Sequence, residues 1–73
     1  MNIPWEDGAA IRVRIEDGAA VIGANRAGLL SLAAQLAALA GEPAGSHIHY
    51  DEDNSLESGS AELIIEHAAL SED

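Results

Sequence analysis

From Ala10 to Glu16 the chain alternates apolar and charged side chains, AIRVRIE, and then breaks at Asp17-Gly18. Alternation is the signature of a strand with one face buried, and Asp-Gly tolerates the positive φ angles of a tight hairpin turn. The spacing predicts a hairpin over 10–23, with Glu16 opposite Ala19, Ile15 opposite Ala20 and Val13 opposite Ile22. Ile11, Val13, Ile15, Ala20 and Ile22 then share one face, and Arg12, Arg14 and Val21 the other. A helix over 25–41 follows. Asn25 is suited to cap its first turn, and Gly41 and Pro43 to stop it. Leu29, Leu32, Ala33, Leu36, Leu39 and Ala40 recur at helical spacing and are expected to form its buried stripe. Ser31, Gln35 and several alanines are expected on the solvent side. Gly28 is expected to let the helix approach a strand closely. A second hairpin is expected over 46–67. There Ile48 and Tyr50 share a face with Leu63 and Ile65. His47, His49 and Asp51 share the other with Glu62, Ile64 and Glu66.

This pattern reads as a single small α+β domain over 1–73: ββαββ, a four-stranded, mainly antiparallel sheet with one helix packed on one face. Residues 1–9 are expected to form a leader whose Ile3 and Trp5 cap the sheet edge or the helix. Residues 68–73 are expected to form a tail that frays at Ser71-Glu72-Asp73. One helix covers one face of a sheet and leaves the other to water or a partner. The alternation assigns to that open face Arg12, Arg14, Val21, His47, His49, Asp51, Glu62, Ile64 and Glu66. Strand order stays open, and a dimer that extends the sheet satisfies the same pattern.

Charge sharpens the picture. The 73 residues include no Cys and no Lys, and the net charge is −10. Residues 42–73 carry nine Asp or Glu and no Lys or Arg, whereas Arg12, Arg14 and Arg26 all lie in the first 26 positions. Such a chain repels phosphate backbones and anionic membrane surfaces, so neither nucleic acid nor a membrane is an expected partner. A basic protein is the partner this field attracts. MNIPWEDG lacks the basic and apolar regions of a signal peptide, and LLSLAAQLAALA is too short to span a bilayer. A cytoplasmic location is expected. The absence of cysteine removes disulfides and thiolate metal sites.

Four chemical readings compete for the stretch from Ser46 to His67. Asp51 to Glu62 places oxygen ligands at several positions of a calcium loop, but Leu56 stands where the sharp turn needs glycine. His47 and His49, joined by Glu62, are the candidate metal ligands, giving a small metal-binding or sensory domain as an alternative. Histidine beside carboxylate also suits acid–base catalysis, with Ser46 or Ser60 as nucleophile. A chain this small lacks the volume for a sizeable cleft, however, and a non-enzymatic role without a cofactor is expected. The remaining reading is a docking surface. His47, His49, Asp51, Glu62 and Glu66 would contact a partner, Asp53 and Glu57 would lie at the rim, and Arg12 and Arg14 would hold register. A structural homodimer is the further alternative.

Taken in order, GANRAGLLSLAAQLAALA and GSHIHYDEDNSLESGSAELIIE resemble immunity protein family 32 of bacterial polymorphic toxin systems. The positions carrying the likeness are Asn25, Arg26, Gly28, Leu29, Leu30, His47, His49, Asp51, Ser60, Glu62, Leu63 and Glu66. The N-terminal MNIPWEDGA has no counterpart in that pattern. The resemblance implies a small antidote that binds a cognate toxin domain and blocks it.

Overall fold

The computed structural model describes residues 1–70. The expectation that Ser71-Glu72-Asp73 fray lies outside the described residues. Strands β1 (Ile11–Glu16) and β2 (Ala19–Ala24) pair antiparallel from Glu16↔Ala19 to Ile11↔Ala24, the register that the Asp-Gly turn predicts. Asp17 and Gly18 both take positive φ, 51° and 81°. Helix α1 (Arg26–Ala40) starts where Asn25 Oδ1 accepts the Gly28 N–H at 2.8 Å and ends at Gly41. Strands β3 (His47–Tyr50) and β4 (Leu63–Glu66) pair antiparallel, with His47↔Glu66, Ile48↔Ile65, His49↔Ile64 and Tyr50↔Leu63.

The fold is α+β in the order ββαββ, with its four strands divided between two two-stranded sheets instead of one continuous sheet. The reason lies along the second edge of β1. Glu57 N–H donates to the Ile11 carbonyl and Ala61 N–H to the Val13 carbonyl, each at 2.8 Å. Between them Val13 N–H donates to Ser60 Oγ at 3.2 Å. A hydroxyl thus stands in for a strand carbonyl, and the chain from 57 to 61 spans only the length of β1 from 11 to 13. The segment seals the β1 edge without continuing the ladder.

The buried core is Ile11, Val13, Leu32, Leu39, Ile48, Tyr50 and Leu56, with Ile3, Ala24, Ala61, Leu63 and Ile65 packed against it. Gly28 is required here. A Cβ at that position would lie 2.7 Å from the Ala10 carbonyl oxygen and 3.0 Å from both Ala24 Cβ and Ile11 Cγ1.

The helix is turned relative to its predicted phase. Leu29 and Leu36 are 55% and 45% exposed, whereas Ser31 and Gln35 are buried. The N-terminal residues explain the rotation. Gln35 Nε2 donates to the Pro4 carbonyl at 2.7 Å while its Oε1 accepts the Tyr50 hydroxyl at 2.7 Å. Ser31 Oγ accepts the Glu6 N–H and donates to the Ala27 carbonyl, both at 2.8 Å. Asn25 accepts the Ala10 N–H at 3.0 Å and donates to the Gly8 carbonyl at 2.9 Å. Residues 4–10 therefore form a strap along the helix. The N-cap Asn25 and the helix residues Ser31 and Gln35 thereby supply hydrogen-bond partners to the strap backbone. Among the described residues no buried side-chain nitrogen or oxygen lacks a hydrogen bond.

Candidate functional site

The ladder of the second hairpin decides which side chains reach solvent. Ile48 and Tyr50 turn into the core, so their alternates His47 and His49 turn out. In β4, Ile64 and Glu66 are exposed by the same alternation, and Glu62 is exposed just before the strand. His47 lies level with Glu66, and His49 with Ile64. The two imidazoles stand edge to face with ring centroids 4.9 Å apart. His47 Nδ1 also lies 3.2 Å from the Gly45 carbonyl oxygen. His67, at the end of the hairpin, is tied to the Glu42 carbonyl through Nδ1 at 2.8 Å and so fixes the ribbon to the C-terminal end of the helix.

The acidic loop that joins β3 to β4 uses some of its own carboxylates as scaffolding. Asp51 Oδ1 accepts the amides of Asp53 and Asn54 at 2.9 and 3.1 Å. The Asp51 carbonyl takes the amides of Ser55 and Leu56 at 3.0 and 2.9 Å. Glu52 Oε2 accepts the Gly59 N–H at 2.7 Å. Leu56 then plugs the core at 6% exposure, which explains why a leucine stands at the position a calcium loop reserves for glycine. Asp53 and Glu57 are exposed along this loop.

Arg12 and Arg14 are exposed on β1, and Arg14 Nε lies 2.7 Å from Glu16 Oε2, the ion pair among the described residues. The sequence-based metal set is not assembled. No group of three or more His, Cys, Asp or Glu converges among the described residues, so Glu62 does not join His47 and His49. The physical reason is that Glu62 precedes the β3–β4 ladder, which begins at Leu63 and places Ile64, an apolar side chain, level with His49.

Trp5, expected from the sequence only to cap the sheet edge or the helix, also lies beside the histidine pair. It stands 6.5 Å from Tyr50 in an edge-to-face arrangement, yet remains 43% exposed. A depression of about 360 Å³ runs along β3 between Ile3, Trp5, His47 and His49. The available signal was that Trp5 is one of two aromatic residues in the chain. Among the described residues no helix is long and apolar enough to cross a membrane.

No curated protein and no solved structure gives a significant match to the chain. The profile of the family described as Immunity protein 32 matches residues 20–68, from β2 past the end of β4. That span is 49 of the 73 residues and contains the histidine pair, the acidic loop and both glutamates of the β4 face. The chain belongs to the Immunity protein 32 family.

Proposed function

We propose that this protein is a non-enzymatic antidote that occludes a cognate toxin domain with the exposed face of its β3–β4 ribbon. The observation that carries the reading is the unbalanced acidity of that face. Glu62 and Glu66 are exposed beside His47 and His49, and no Lys or Arg occurs in residues 42–73 to neutralise them. A surface of this kind attracts a partner rich in Lys and Arg and speeds the encounter. The partner would be a basic toxin domain, and the carboxylates would stand in for the anionic groups its own substrate presents.

Each residue then has a role. Glu62 and Glu66 supply charge, and His47 and His49 supply flat, amphipathic contact area next to Ile64. Trp5 adds an aromatic rim of the type enriched at interfaces. Asp51 acts chiefly through the loop it folds, which presents Asp53 and Glu57 at the edge. Arg12 and Arg14 would set register against acidic groups of the partner. The mechanism is occlusion, with no bond made or broken.

The test compares wild type with the Glu62→Lys/Glu66→Lys double variant as baits in native lysate, followed by binding measurements on the retained partner. A basic protein is expected at one equivalent on wild type, with affinity reduced roughly a hundredfold in the variant and an unchanged circular dichroism spectrum. Equal retention by both baits would show that the partner docks elsewhere.

A further inference from the structure

The outer edge of β2 is uncovered. In a two-residue hairpin the residues flanking the turn form a hydrogen-bonded pair, and such pairs alternate along the ladder. Glu16 with Ala19, Arg14 with Val21 and Arg12 with Gly23 therefore bond across the ribbon. The N–H and C=O groups of Ala20, Ile22 and Ala24 point outward. The opposite edge of β1 obeys the same rule, since Ile11 and Val13 turn their backbone groups to residues 57–61. Among the described residues nothing comparable seals β2, whose backbone bonds all belong to the β1 ladder.

Edge strands are normally protected by lysine, proline, bulges or an inward-pointing charge. β2 reads AAVIGA and has none of these. Its register with β1 is continuous, without a bulge. Ile22, at its centre, is 41% exposed. From Ala19 to Gly41 the only charged residue is Arg26, although the chain as a whole carries −10. A strongly acidic chain meets the least repulsion from a second copy along an uncharged surface like this one.

We infer that β2 pairs antiparallel with β2 of a second copy across a twofold axis at Ile22, joining the two N-terminal hairpins into one four-stranded sheet. The strand is self-complementary about that residue. Ala20 lies opposite Ala24 of the copy, Ile22 opposite Ile22, and Val21 opposite Gly23, where the side chain fills a position that has none. The outward backbone groups form about six new hydrogen bonds. The acidic β3–β4 ribbons stay outside the seam, because residues 57–61 lie on the far edge of β1. The inference is independent of the antidote reading and leaves the proposed docking face free in both copies.

Light scattering and sedimentation equilibrium of the full chain at physiological salt test it. A particle of twice the 7.5 kDa chain mass is expected. Ile22→Lys places two ammonium groups at the axis and is expected to weaken the dimer roughly tenfold or more, since like charges directly opposite are destabilising. Ile22→Cys provides a check that does not depend on that variant folding. The chain has no other cysteine. A hydrogen-bonded antiparallel pair holds its Cα atoms about 5.5 Å apart, within disulfide range. Rapid oxidation to a covalent dimer is expected for Ile22→Cys but not for Ile64→Cys, a control at a more exposed position. A wild-type particle of one chain mass at every soluble concentration would overturn the inference. So would a dimer that survives Ile22→Lys, or equal cross-linking of the two cysteine variants.

Discussion

Two residues carry more of this fold than their size suggests. Gly28 is held against the Ala10 carbonyl, which is backbone and cannot swing aside. Gly28→Ala normally favours a helix by about 1 kcal/mol. Here the added methyl forces α1 away from the β1–β2 hairpin, and a net loss of about 1–3 kcal/mol is expected from urea unfolding. A stabilised variant would mean that the close approach relaxes freely. Tyr50 is fully buried and donates its hydroxyl to Gln35. Tyr50→Phe leaves Gln35 Oε1 without that donor at a cost of about 1–3 kcal/mol. Burial also pushes the Tyr50 phenol above its ordinary value of 10.0. The folded state therefore holds the phenolic proton more tightly than the unfolded chain. The associated stability is complete below about pH 10 and falls as pH rises beyond it. Because Tyr50 is the single tyrosine, Tyr50→Phe is expected to flatten that alkaline limb in pH-dependent unfolding.

Among the elements, those with local causes were legible in the sequence. Asp17-Gly18 set the register of the first hairpin to the residue, and Asn25 and Gly41 bounded the helix. The faces of His47, Ile48, His49 and Tyr50 followed from alternation, so the exposed side chains of the candidate site were largely readable. The helix phase was not. In an Ala-rich segment Leu29 and Leu36 look as buried as Leu32 and Leu39, and the preference for Ser31 and Gln35 inside is set by the strap, more than twenty residues away in sequence. Leu56 was hidden for the same reason, since its burial depends on a loop folded by Asp51 and not on any period. Nor does alternation announce that Ser60 will take the place of a strand carbonyl beside Val13. The strap makes its own prediction. Ser31→Ala/Gln35→Ala removes its bonds to Glu6 and Pro4, and Trp5, the single tryptophan, reports on its release. Trp5 emission is expected to shift at lower urea than the far-ultraviolet dichroism of the helix, with the two transitions coincident in wild type. Coincidence in the variant as well would show that the strap and the core unfold as one unit.

At the scale of the whole molecule, charge acts on stability and on recognition with opposite sign. The radius of gyration is 12.8 Å. At 0.01 M salt the screening length is about 30 Å, so carboxylates repel one another across the molecule, and the chain has thirteen of them against only three arginines. At 0.15 M it falls to about 8 Å, and most of that repulsion is lost. Raising salt over this range is therefore expected to stabilise the fold, and a gain of about 1 kcal/mol would lift the melting temperature by about 4–8 °C. Association with the proposed basic partner is expected to slow over the same range, because screening also weakens the field that would steer it in. Thermal melts and stopped-flow association at matched salt concentrations measure the two effects together. If both rise with salt, the acidic ribbon is not the surface that guides the partner.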